Sequence, residues 1–157
     1  MAIQLGQKAP DFSLFDTEKN KVSLADYKGR NVLLLFFPLA FTSVCTAELC
    51  SVRDSIALYE GGNAQPLGIS TDSLFTLAKF KEEQSLNFPL LSDYNKEVSQ
   101  AYGSLYESWG FDYKGVTKRS AFLIDKDGIV RYAEVLENAG EQPDFNTIKA
   151  AMAELPK

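Results

Sequence analysis

The strongest constraint in this chain is Asn31–Phe37, NVLLLFF, an almost unbroken apolar run closed by Pro38. A strand with one wet face alternates apolar and polar residues. This run has no polar face, so it suits a strand buried on both sides. Pro38 has no N–H to donate and stops the ladder. Such a strand needs a packed layer above it and another below it.

The rest of the sequence supplies those layers. Residues 11–15 and 21–24 read as short strands around a turn at Thr17–Asn20. Cys45, Leu49, Val52, Ile56 and Tyr59 recur at helical spacing and predict one helix over 44–60. Thr42 or Ser43 is its N-cap, and Gly61-Gly62 ends it. A second buried strand follows at Gln65–Ser70, a helix at Ser73–Gln84, a strand near Pro89–Ser92 and a short helix at Lys96–Tyr102. Residues 103–118 show no clear period. Ser120–Ile124 and Ile129–Val135 read as strands joined by an Asp-Gly hairpin turn. Phe145, Ile148, Met152 and Leu155 mark a last helix over about 143–155. The order is βαβ, a helical connection, then ββα. That order predicts an α/β domain whose central mixed sheet carries helices on both faces. The thioredoxin-like arrangement fits it.

Composition narrows the chemistry. The 157 residues predict one domain, residues 1–157, without internal repeats or linkers. The net charge of −5 argues against a nucleic-acid or anionic-membrane binder, which wants a basic footprint. The absence of His removes the Ser-His-Asp triad, the Cys-His dyad and any His-ligated metal. Two Cys are too few for a structural zinc or a cysteine-ligated iron–sulfur cluster, so no metal is expected. The longest apolar run, Val32–Phe41, is about half the ~20 residues of a helical membrane span. No signal peptide is evident, so the expected location is cytoplasmic. In a reducing compartment, a pair of thiols is more often catalytic than structural.

The informative stretch is Phe36–Asp54, FFPLAFTSVCTAELCSVRD. It passes from the buried strand through a proline loop into a helix whose first turn holds Cys45. Unpaired N–H groups and the dipole at that end favour a thiolate over a thiol. Thr42 can point its hydroxyl into the same concavity, and Pro38 stiffens the entrance. Read alone, Cys45 is equally a small hydrophobe on the core stripe.

Pro38-Leu39-Ala40-Phe41-Thr42-Ser43-Val44-Cys45 matches the P-x3-T-x2-C signature of peroxiredoxins, and the chain resembles that family from near residue 3 to near residue 153. APDFSL and GISTDS add to the likeness. FFPLAFT is similar to the bacterial E-type alkyl hydroperoxide reductases. The second Cys five residues on is similar to the bacterioferritin-comigratory, or Q-type, branch. The resemblance implies a thiol peroxidase acting on hydrogen peroxide and organic hydroperoxides. It makes Cys45 the peroxidatic thiol, with Thr42 and the Cys45 amide holding the peroxide. It assigns Arg119, in TKRSAFLID, as the guanidinium of the site, and Glu48 as the carboxylate orienting it. Without the motif, Arg119 reads as a solvated residue at a strand end and Glu48 as a surface helix residue. Arg53 and Asp54 read as exposed helix charges without a role.

Cys50 raises a geometric conflict. Five residues along a helix separate Cα atoms by ~8.6 Å. A disulfide needs less than ~7 Å. If Cys50 resolves a Cys45 sulfenic acid, the first helical turns must unwind, a movement for which the Q-type branch is known. Alternatively Cys50 is inert and an external thiol resolves. The resemblance implies recycling by a thiol reductant such as thioredoxin. A thiol–disulfide oxidoreductase on the same fold is disfavoured, because C-x4-C is not C-x-x-C. A non-catalytic redox sensor is a third class. Tyr106, Trp109, Phe111 and Tyr113 read either as a core cap or as a collar or homodimer contact near the site.

Overall fold

The computed structural model describes residues 3–156; the outermost positions of the 1–157 domain assignment, Met1, Ala2 and Lys157, lie outside the described residues. The elements run β1 (Ser13–Asp16), β2 (Lys21–Ser23), β3 (Asn31–Phe36), α1 (Ser43–Asp54), α2 (Ile56–Gly61), β4 (Ala64–Ser70), α3 (Leu74–Glu83), β5 (Leu90–Ser92) and α4 (Glu97–Ala101). They continue through β6 (Leu105–Tyr106), β7 (Val116–Thr117), β8 (Ser120–Ile124), β9 (Val130–Val135) and α5 (Phe145–Ala153). Seven strands form one mixed sheet in the order β2-β1-β5-β4-β3-β8-β9. β3 pairs parallel with β4 and antiparallel with β8. The expected α/β architecture with helices on both faces is what the chain adopts.

β3 is buried along its whole length, and its residues divide between two layers. Leu33 and Leu35, with Phe37 just beyond the strand, pack with Cys45, Leu49 and Val52 of α1, Tyr59, Leu77, Phe80 and Ile148. Val32, Leu34 and Phe36 pack on the opposite side with Phe12, Val98, Tyr102 and Phe122. This is the alternation of a pleated strand, with both faces covered. It explains why the sequence run has no polar period.

The helix expected over 44–60 is two helices. Ser55 has left the helical conformation, at φ −108° and ψ 17°. Its amide bonds to the Val52 carbonyl at 3.1 Å, a tightened last turn. The apolar stripe continues across the break because α1 and α2 contribute to the same core, so periodicity could not register it. Residues 103–118, read as patternless, hold the two-stranded β6–β7 sheet and a 3₁₀ turn at Gly110–Asp112.

One glycine is dictated by packing. A Cβ on Gly68 of β4 would lie 2.6 Å from Leu90 Cδ2 and 3.3 Å from Phe37 Cε1. Both neighbours are fully buried and cannot swing into solvent. Gly68→Ala is expected to lower the unfolding free energy by about 1–3 kcal/mol through overpacking. Urea denaturation measures it, and an unchanged midpoint would contradict this packing.

Candidate active site

The site lies where the central strand ends. Phe36 is opposite Ser120 in the β3–β8 register, so Arg119 stands beside the point where the chain leaves β3. Pro38 there is buried. The chain turns through a short loop and enters α1, with Thr42 as N-cap. The first main-chain bond of the helix runs from the Thr46 amide to the Thr42 carbonyl at 2.9 Å. The amides of Ser43, Val44 and Cys45 precede that ladder and lack intrahelical acceptors. Together with the helix dipole they make a positive niche around Cys45.

The Thr42 hydroxyl donates to the Leu39 carbonyl at 2.8 Å rather than capping the helix amides. This fixes the side chain within the loop and leaves its lone pairs free. Phe41, just before it, has φ +71°, a left-handed conformation that costs an aromatic residue roughly 1–3 kcal/mol. Its ring packs edge-on against Phe80, with centroids 5.1 Å apart.

Arg119 brings the acidic groups together. Its Nη2 donates to Cys45 Sγ at 3.1 Å, its Nη1 to Glu48 Oε1 at 2.6 Å, and its Nε to the Ala139 carbonyl at 3.0 Å. Arg119 is only 2% exposed, and Cys45 and Glu48 are fully buried. The readings of Arg119 as a solvated strand end and of Glu48 as a surface residue are therefore corrected. The i, i+3 spacing of Cys45 and Glu48 places both on one face of α1, and one guanidinium spans them.

The electrostatics follow from burial. Glu48 is desolvated, which raises its pKa from the ordinary 4.5 to about 7 despite the opposing Arg119 charge and hydrogen bond. Its Oε2 is buried with no hydrogen-bond partner among the described residues. Burial opposes the charge on Arg119, but Glu48 and Cys45 outweigh it, and its pKa moves up. The guanidinium stays ionised at every relevant pH.

Sequence reasoning missed the loop that follows β9. The Leu136 amide donates to the Arg119 carbonyl at 2.8 Å, and the Tyr106 hydroxyl to the Leu136 carbonyl at 2.9 Å. With Ala139, this loop braces Arg119 through main-chain atoms, which leave no side-chain signature. Tyr106 thus belongs to the wall behind the site. Phe111 is 87% exposed and Tyr113 about half exposed, so neither caps the core.

Cys45 and Cys50 are both free thiols on an intact α1. Cys50 is partly exposed and donates to Gln84 Oε1 at 3.5 Å, away from the Arg119 cluster. Arg53 is not merely a solvated charge, since it also donates to the Gln84 carbonyl. A cleft of about 760 Å³ lies between β1, the β5–α4 connection and the start of α3, and does not include Cys45. Among the described residues no His/Cys/Asp/Glu cluster is arranged to hold a metal, and no helix is long and apolar enough to cross a membrane.

Residues 5–133 match the AhpC/TSA family. The chain is 38% identical to the alkyl hydroperoxide reductase E of Mycobacterium bovis over 156 residues, 98% of each chain. It is 41% identical to peroxiredoxin Bcp of Bacillus subtilis over 130 residues, 82% of each chain. The crystal structure of peroxidoxin BcpB from Mycobacterium tuberculosis superposes with a TM-score of 0.86 at 28% identity, covering 99% of each chain. The fold is the thioredoxin-like fold of that structure. A buried thiol at a helix N-terminus, a guanidinium on its sulfur and relatives of this identity agree: the chain belongs to the AhpC/TSA family, the peroxiredoxins.

Proposed function

We propose that the protein reduces hydrogen peroxide and organic hydroperoxides through Cys45. The observation that carries this reading is the 3.1 Å contact of Arg119 Nη2 with Cys45 Sγ inside a buried site. The Cys45 thiolate attacks one peroxide oxygen, the O–O bond breaks, and the departing oxygen takes a proton from solvent to leave as water or alcohol. Cys45 becomes a sulfenic acid. Negative charge develops on the departing oxygen. The Arg119 guanidinium and the free amides at the start of α1 are fixed donors aimed at that region. Thr42 holds the peroxide, Pro38 sets the loop's exit from β3, and Glu48 positions Arg119.

Cys50 is the resolving thiol. It attacks the Cys45 sulfenic sulfur, forming the disulfide and releasing water. On an ideal helix the two Cα atoms stand ~8.6 Å apart, beyond disulfide reach, so the start of α1 unwinds for this step. A thiol reductant of the thioredoxin kind then restores both thiols. A cytoplasmic location suits two free thiols.

Rapid mixing with hydrogen peroxide and with one bulky hydroperoxide tests the first step. Wild type should lose its reduced thiol quickly, and Cys45→Ser should not react. Equal consumption by both proteins would end the reading. Cys50→Ser should still consume one equivalent of peroxide but stall in turnover with a dithiol reductant and overoxidise to the sulfinic acid. Wild-type turnover in Cys50→Ser would remove Cys50 from the cycle.

A further inference from the structure

The loop between β3 and α1 carries Thr42 and presents Cys45, yet it is tied to the sheet by a residue outside it. The Ala40 amide donates to Asp72 Oδ2 at 2.8 Å. The same oxygen accepts from the Ser70 hydroxyl at 2.7 Å, and the Asp72 amide donates back to Ser70 Oγ at 3.2 Å. The Ser92 hydroxyl donates to the Asp72 carbonyl at 2.6 Å. Asp72 is thus held by the ends of two parallel neighbours, β4 and β5, and offers its carboxylate to the loop leaving a third strand. Burial raises its pKa, while the Ala40 amide and the Ser70 hydroxyl pull it down.

The loop needs such a tie. Phe41, one residue after Ala40, sits at φ +71°. A left-handed aromatic residue persists only where its surroundings over-determine it. Two contacts do so here: the ring on Phe80 and the amide on Asp72. Loss of the second lets the loop relax away from the geometry that aligns Thr42 with Cys45.

We propose that Asp72 is a positioning residue whose carboxylate clamps the Ala40 amide, holds the loop in its peroxide-reactive shape, and must let go for Cys45 to reach Cys50. The second half rests on Cys50 as the resolving thiol. The clamp therefore acts in opposite directions on the two chemical steps. It favours oxidation, which needs alignment, and it restrains resolution, which needs local unfolding.

Acid-quenched mixing with hydrogen peroxide, followed by thiol alkylation and mass spectrometry, separates sulfenic acid formation from disulfide formation. Asp72→Ala should oxidise about tenfold more slowly and, once oxidised, form the disulfide about threefold faster. Asp72→Asn keeps an oxygen that accepts from the Ala40 amide and should restore both rates towards wild type. A purely structural role would slow both steps together or neither. Either result overturns the clamp, as does an Asp72→Asn variant indistinguishable from Asp72→Ala. Should Asp72→Ala not fold, Ser70→Ala is read instead. It frees the carboxylate to rotate and should move the two rates in the same opposing directions, and parallel or absent changes overturn the proposal. If wild type forms no Cys45–Cys50 disulfide, the resolving role of Cys50 falls and the oxidation step alone decides. Slow oxidation in Asp72→Ala with recovery in Asp72→Asn supports the clamp, and unchanged oxidation overturns it.

Discussion

Arg119→Met should slow the reaction of Cys45 with hydrogen peroxide by about 10²–10³-fold, the usual loss when one preorganised donor to a developing oxyanion is removed. Arg119 makes three directed bonds, to Cys45 Sγ, Glu48 Oε1 and the Ala139 carbonyl. Its orientation is set before substrate arrives, so little reorganisation accompanies the charge shift. Arg119→Lys should recover little of the loss. An ammonium is a compact point charge and cannot span a thiolate and a carboxylate in one plane. The second-order rate constant from rapid mixing decides the matter, and a value within threefold of wild type for Arg119→Met would exclude the guanidinium from the chemistry. Stability provides an internal control. Arg119→Met leaves Glu48 buried without its counter-charge, so Arg119→Met/Glu48→Gln should be more stable than Arg119→Met alone at neutral pH.

Residues with a strong local cause were legible before the fold was known. β3 announced itself because burial on both faces removes polar residues from a strand. Cys45 stood out because a Pro, a Thr and a Cys coincide at a strand-to-helix junction. Arg119 and Glu48 were reachable through the peroxiredoxin motif alone. They lie 71 residues apart in sequence. Nothing in their local context distinguishes a buried pair from two solvated charges. The break at Ser55 was invisible because both helices serve one core. The insertion of β1 beside β5 is a long-range pairing that neither local pattern encodes. Main-chain support from Leu136 and Ala139 was illegible for a different reason: a carbonyl has no residue identity. Asp72 sat in plain view in GISTDS, but only the position of the Ala40 amide gives its carboxylate a purpose.

Glu48→Gln should abolish a pH dependence of stability that wild type carries between about pH 4.5 and 7. The sign follows from proton binding. In the fold, Glu48 keeps its proton up to about pH 7, whereas the unfolded chain releases it near the ordinary 4.5. Between those values the native state binds more protons than the unfolded state, so stability falls as pH rises. The contribution is fully present below the unfolded pKa and is lost as pH passes through the folded one. Its size is about 3 kcal/mol, from the shift multiplied by 1.36 kcal/mol per unit. Measured by urea denaturation with Cys45→Ser in both proteins, the two curves should meet near pH 4.5. They should diverge towards pH 8, with Glu48→Gln the more stable. Tyr59, the neighbour that feels the Glu48 charge, is pushed up to about 12 by burial and does not titrate in this window. Parallel curves would mean that Glu48 has the same pKa in the fold as in the unfolded chain, the ion pair compensating its own desolvation. A diverging result would place the Glu48–Arg119 pair among buried ion pairs that stabilise nothing. Its presence would then be explained by geometry alone: one guanidinium, held by Glu48 and the Ala139 carbonyl, with its Nη2 turned onto Cys45.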